Sequence, residues 1–250
     1  MNKLTAAVIL AAGKGTRMKS EIPKVLHRVE GQPLIRHLLR TMTAIPFSRI
    51  IVVIGFEGEM VAEELKDFPV EFVWQKDQRG TGHAVMMAEE ALRNFDGNIL
   101  VAAGDVPYLS EKTIRGLIDF HNQNGSAATC LTAVYDDPAK YGRIIREPGT
   151  DFLADIIEYK DADETTKKIK EVNTGTFCFI SGDLFPALHK IDDNNAQKEL
   201  YLTDTIKILR RSGRDCRVLP IGDPFEVTGI NSVEELAALE DTIRNKKQMN

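Results

Sequence analysis

Short, continuous apolar runs alternate with amphipathic stretches through the first half of the chain. Residues 6–10, 50–54 and 99–103 carry no polar side chain and read as buried strands; residues 70–74 read as a further one. Between them, residues 33–44 set Leu34, Ile35, Leu38, Leu39 and Met42 on one stripe, the spacing of a helix, and Pro33 suits its first turn. Residues 59–67, 81–94 and 111–122 read as three more helices, the last capped by Ser110. Strands without a polar face, alternating with helices, predict a parallel sheet covered on both sides.

After about residue 125 the pattern changes. Residues 127–134, 143–146, 152–158 and 172–180 read as strands with fewer helices between them, 201–211 and 232–246 as helices, and the polar residues 245–250 as a frayed end. The whole predicts a single α/β domain over residues 1–250: a Rossmann-like, mostly parallel mixed sheet over about 1–125, a β-rich excursion over about 126–231 covering a ligand cleft, and a C-terminal helix over 232–250. No internal repeat, low-complexity tract or linker interrupts it.

Composition narrows the partners. An apolar fraction of 43% in 250 residues supports a sizeable core. The net charge of −5 supplies no global basic field, so nucleic acid is not an expected partner, and any anion must be met by a local cluster of Lys and Arg. Cys130, Cys178 and Cys216 form no C-x-x-C pair and read as buried thiols in a reducing compartment, the cytoplasm. The apolar run after Met1-Asn2-Lys3 reads as a buried strand rather than a leader, because Lys14, Arg17 and Lys19 follow where a cleavage region belongs. No stretch approaches the roughly 18 apolar residues that a membrane span needs.

The strongest local signal directly follows the first strand: Gly13-Lys14-Gly15-Thr16-Arg17-Met18. Glycines let the backbone approach an anion closely, and successive N–H groups can face phosphate oxygens. Met18 stands where both the P-loop and the dinucleotide fingerprint require glycine, so the cradle is of another type. Arg17 and Lys24, the latter fixed by Pro23, add the cations that a desolvated polyphosphate requires.

Taken together, Leu10-Ala11-Ala12-Gly13-Lys14-Gly15-Thr16-Arg17-Met18 and Pro23-Lys24-Val25-Leu26 resemble the signature of sugar-phosphate nucleotidyltransferases, and within that family the uridylyltransferase domains of the bacterial N-acetylglucosamine-1-phosphate enzymes. The likeness runs from Val8 to about Asn231. It implies the nucleotide-diphospho-sugar transferase fold, with UTP and a sugar 1-phosphate as substrates and Mg²⁺ as cofactor. It assigns Arg17 and Lys24 to catalysis, and Leu10, Ala11, Ala12, Gly13, Gly15, Thr16, Gln75, Gly80, Thr81 and Gly104 to the nucleotide. Gly142, Glu158 and Asn173 fall to the sugar, and Asp105 with Asn231 to the metal. Read alone, Asp105 ends a strand, where open α/β sheets bind ligands, and Asn231 reads as a helix cap. Gln75 offers a donor and an acceptor together, which suits a uracil edge. His83 reads as structural, residues 201–204 as support for the pocket, and Asp161, Asp163 and Glu164 as solvated.

Two departures from the family matter. Ala103 stands where related bifunctional enzymes often carry Tyr, which puts sugar affinity in question. No left-handed β-helix acetyltransferase domain is expected within these residues. Two other readings stay open: a transferase of the same fold using another sugar phosphate or CTP, and a non-catalytic nucleotide-sensing subunit. The oligomeric state is not fixed by the sequence.

Overall fold

The computed structural model describes the backbone of residues 3–249 and the side chains of residues 3–246. Its strands are β1 (Thr5–Ala11), β2 (Arg28–Val29), β3 (Gln32–Pro33), β4 (Ile50–Ile54), β5 (Glu71–Trp74), β6 (Asn98–Ala103), β7 (Ala128–Val134), β8 (Arg143–Arg146), β9 (Leu153–Ile157), β10 (Glu171–Ile180) and β11 (Cys216–Pro220). Its helices are α1 (Leu34–Thr43), α2 (Gly58–Glu64), α3 (Thr81–Met86), α4 (Glu111–Asn124), α5 (Ser181–Leu188), α6 (Asp204–Arg211) and α7 (Val233–Met249). Among the described residues, no helix is long and apolar enough to cross a membrane.

The main sheet runs β11-β7-β10-β6-β1-β4-β5, with β8 and β9 branching from β10. β1, β4, β5 and β6 are parallel, and β11 lies parallel to β7. β10 is antiparallel to both β6 and β7 and joins the two halves into one mixed sheet. The odd and even positions of β1 feed two different cores: Ala6 and Val8 pack on one face, Ala7 and Ile9 on the other. That is why β1 shows no polar alternation. All three cysteines are buried and free.

Several boundaries move. α3 stops at Met86 rather than Asn94; beyond it, bonds such as Glu89 N–H to Met86 O tighten the chain into three-residue turns. α2 ends at Glu64, three residues short. α6 starts only at Asp204, because residues 201–203 serve as a turn. α7 runs on through Met249, so the expected frayed end is helical up to there; Asn250, like Met1 and Asn2, lies outside the described residues. α5, β11 and the β2–β3 ribbon have no counterpart in the sequence reading. Pro186 sits inside α5, and β11 carries Arg217 and ends in Pro220, so neither shows a clean periodic pattern.

Candidate active site

Parallel β1 and β6 end side by side. Gly104 N–H donates to Leu10 O at 2.9 Å, and a Cβ on Gly104 would sit 3.0 Å from that oxygen. This close approach brings Asp105, just past β6, beside the loop that leaves β1. The loop turns at Gly15, whose φ of +66° lies in the left-handed region. Space is as limiting there as conformation: a Cβ on Gly15 would fall 2.5 Å from Lys24 Cβ. The short turn Thr16–Met18 follows, anchored by the buried Met18. Pro23 leads into the turn Lys24–Leu26, whose Val25 and Leu26 are buried, so the root of Lys24 is fixed.

The Lys24 ammonium donates to Asp105 Oδ2 and, at 2.9 Å, to Asn231 Oδ1. Residues from three distant parts of the chain thus meet at one cation. Asn231 does not cap α7 with its side chain. Ser232 Oγ does so, accepting from Glu235 N–H at 3.2 Å, while the Glu235 carboxylate accepts from Asn231 N–H at 2.7 Å. Asn231 Oδ1 is therefore left to face Lys24.

A hollow of about 470 Å³ opens over this cluster. It is lined by Leu10, Ala11, Ala12, Gly13, Gly15, Thr16, Arg17, Lys24, Gln75, Gly80, Thr81, Asp105 and Asn231, which is the whole predicted nucleotide, catalytic and metal set except Gly104. Gly104 acts below it, as the close contact between strands. Lys14 also lines the hollow, with its ammonium 5.0 Å from the Phe56 ring centroid. A larger hollow of about 800 Å³ lined by Met86, Met87, Phe95 and Phe185 shares no residue with this one.

At the far wall Gln75 is buried, at 3% exposure. Its Nε2 donates to Gly80 O and to His83 Nδ1, both at 3.0 Å. With both amide hydrogens engaged, Gln75 has its oxygen left for a ligand. His83, read from sequence as structural, therefore fixes the orientation of a cavity residue. Gln78 and Glu199 also line the hollow without having been singled out, and no local pattern marks them; Val25, from the Pro23–Leu26 signature, lines it too.

Gly142, Glu158 and Asn173 form a second cluster, outside that hollow. Asn173 N–H donates to Gly142 O at 2.9 Å, and a Cβ on Gly142 would stand 3.2 Å from Glu158 Oε2. β10 breaks register between Asn173 and Phe177, where Gly175 has a φ of +75° and donates to Asn173 Oδ1 at 2.8 Å. Burial pushes the Glu158 carboxyl above its ordinary range, opposed in part by the Thr203 hydroxyl, which donates to Oε1 at 3.1 Å. The buried Arg143 guanidinium holds this corner by donating to the carbonyls of Ala139, Tyr141 and Lys167.

Two connections join the clusters. A hollow of about 430 Å³ shares Arg17 and Asn231 with the first and reaches Lys140 and Tyr141, beside Gly142. Residues 200–203 form the second: Leu202 N–H donates to Thr81 Oγ1 at 3.0 Å, and Thr203 bonds Glu158. Ala103 lines the first hollow and lies 3.9 Å from where a Cβ on Gly175 would be. Asp163 accepts from Thr166 N–H and Glu164 pairs with Lys167, both exposed, as the solvated reading expected.

Comparison with known proteins agrees with this architecture. The chain is 48% identical over 240 residues to the bifunctional protein GlmU of Streptococcus uberis and 46% identical over 246 residues to that of Streptococcus gordonii. These matches cover 96% and 97% of this chain but 52% and 53% of those proteins, so the chain spans about half the length of the curated relatives it matches. A UDP-glucose pyrophosphorylase solved with UDP-glucose superposes with a TM-score of 0.75 at 17% identity, covering 97% of this chain and 99% of that one. A putative glucose-1-phosphate thymidylyltransferase from Bacillus anthracis superposes at 0.76 and 20% identity, covering 96% of this chain and 95% of that one; at such identities both likenesses speak to the fold. Residues 7–206 match the model of the MobA-like NTP transferase domain, and with that span and a glycine cradle at the end of its first strand, the chain belongs to this nucleotidyltransferase family.

Proposed function

We propose that the chain transfers a uridylyl group from UTP to N-acetylglucosamine 1-phosphate, giving UDP-N-acetylglucosamine and pyrophosphate. The observation that carries this reading is the convergence of Lys24 with Asp105 and Asn231 at the floor of a glycine-lined hollow. The likeness to the GlmU proteins over nearly the whole chain supports it.

A sugar 1-phosphate is anionic near neutral pH and needs no side-chain base. One of its oxygens attacks the α-phosphorus of UTP in line. The new oxygen–phosphorus bond forms as the bond to the β-phosphate bridge breaks, and pyrophosphate leaves with that electron pair. Arg17, Lys24 and the amides of residues 13–16 face the accumulating charge. Gln75 Oε1 with the Gly80 and Thr81 backbone receives the uracil. Glu158 and Asn173 accept and donate to sugar hydroxyls, and Gly142 offers a backbone group close to the N-acetyl substituent or a hydroxyl. Catalysis is then positioning plus electrostatics.

Asp105 and Asn231 offer one carboxylate and one amide oxygen, already aimed at a cation, which suits a hard ion that also takes substrate phosphates. Among the described residues, no group of three or more His, Cys, Asp or Glu is placed to hold a metal by itself. We assign this pair to Mg²⁺, which supplies charge neutralisation on the phosphates when bound. The free, buried cysteines suit the cytoplasm as the compartment.

Pyrophosphate release is the direct test. UTP, Mg²⁺ and N-acetylglucosamine 1-phosphate should give it faster than any other pair in a panel that includes glucose 1-phosphate and CTP. Nucleotide binding with no release from any pair would overturn the reading in favour of a sensing subunit. Arg17→Ala should lower kcat by roughly 10²–10³, or about 3–4 kcal/mol of barrier, as when an oxyanion donor is lost.

A further inference from the structure

Lys24 is the only cationic side chain among the described residues bonded to Asp105, and the same ammonium also takes the amide oxygen of Asn231. Those are the two oxygens assigned above to a divalent ion, and the present inference rests on that reading. The contact is largely enclosed, with 19% of the Lys24 side chain and 8% of the Asp105 side chain exposed. Its stem is held at the root by Gly15, whose missing Cβ leaves the room that Lys24 Cβ occupies. An ammonium on Asp105 Oδ2 competes with a divalent ion for that oxygen, because the two positive charges would repel each other across it.

We infer that Lys24 is a tethered cation that fills the Asp105–Asn231 site in the nucleotide-free protein, so that the site takes a divalent ion as its triphosphate complex and refuses the free ion. A free ion would have to push the ammonium towards Arg17 and Lys14, which line the same hollow, and the other carboxylate of that lining, Glu199, stands at the far wall beside Gly80. A metal–triphosphate complex brings the new partner with it. With Asp105 and Asn231 holding the metal of such a complex, the Lys24 ammonium would have the phosphate oxygens of the same complex as its new partners. No proton moves, and each charge keeps an opposite neighbour throughout. Metal and nucleotide are thereby coupled through one side chain, and the coupling is reciprocal: each raises the affinity for the other by the same factor.

Free Mn²⁺ measured by electron paramagnetic resonance tests this on the full chain, with and without UTP. Wild type should bind Mn²⁺ weakly alone. Lys24→Met should bind it alone at least about tenfold more tightly, the least expected on removing a close charge partner from a part-buried site. Lys14→Met removes a charge from the same hollow without touching Asp105, and should change the affinity by no more than about twofold, as a screened charge does. Adding Asp105→Asn to Lys24→Met should abolish the gain. Lys24→Gln serves as the second variant should the Met form not fold, as judged by its melting transition. Equal Mn²⁺ binding by wild type and Lys24→Met would overturn the inference, and so would an equal gain in Lys14→Met. A protein that binds no Mn²⁺ even with UTP would instead remove the metal assignment itself. Absent pyrophosphate release with Mn²⁺ binding intact would remove only the proposed reaction.

Discussion

At Gly80 one absent methyl group decides whether the segment proposed to hold the base closes. Its φ is +111°, and a Cβ there would meet Leu200 O at 2.6 Å and Leu200 N at 2.8 Å, both rigid backbone. Gly80→Ala should therefore part residues 79–81 from 199–201 and tilt Gln75, which donates to Gly80 O. We expect a loss of about 2 kcal/mol in stability, typical of forced backbone strain, together with a higher KM for UTP; an unchanged melting temperature and KM would contradict the contact. Glu158 makes a different prediction. Its carboxyl titrates above the ordinary range because it is buried, and only the ionised form keeps all the lone pairs not taken by the Thr203 hydroxyl free to accept from sugar hydroxyls. The KM for the sugar phosphate should rise as pH falls through that raised value. Glu158→Gln should bind weakly at every pH, without this dependence. The phosphate's own titration is common to both proteins, so the difference between the two profiles isolates Glu158.

α6 begins under electrostatic strain. Asp204, in its first turn, is pushed up to about 6 by burial and by the nearby Asp155 and Asp192, despite a helix N-terminus that favours negative charge. A raised folded value means stability is fully present below the usual aspartate value of 3.8 and is lost as pH climbs through about 6. Asp204→Asn should thus be the more stable protein above pH 6, by about 1 kcal/mol once solvent screening of this partly buried group is allowed for. The gap should close in acid, which melting curves at the two extremes would check. Element by element, Ile50–Ile54, buried throughout, was placed to the residue, and so was Arg143–Arg146, buried in its first half. α3 was overextended because residues 87–94 keep helical spacing while bonding in tighter turns. β11 was invisible because an edge strand with Arg217 and Pro220 lacks a periodic signature. In the candidate site, the glycine loop that lines the hollow was readable from local spacing, whereas the meeting of Asp105 with Asn231 came from the family resemblance, since distant residues leave no local pattern. His83 was missed for the same reason: its role lies in the direction of one hydrogen bond to Gln75.

Across the whole molecule, the proposed metal pair depends on the packing of the C-terminal helix. α7 packs Leu239, with Leu236 and Ile243, against Ile230, Val29 and Leu34, and its Glu235 holds the Asn231 amide. Deleting residues 233–250 should leave the sheet folded by far-ultraviolet circular dichroism. Mn²⁺ affinity in the presence of UTP should fall roughly 10- to 100-fold, the usual cost of losing a supporting contact; a truncated chain with undiminished affinity would show that Asn231 needs no such support. β10 has a broader consequence. Residues Phe177–Ile180 are laced to Val101–Asn98 on one side, and Phe177–Phe179 to Cys130–Ala128 on the other. The segments proposed to hold the base and the sugar are therefore parts of one hydrogen-bonded fabric. A gene cut after Asn124 would yield two fragments, the first with the β6 edge bared and the second with the matching β10 edge. Apart, each would expose an unpaired apolar strand and tend to aggregate; co-expressed, they should reassemble through that seam.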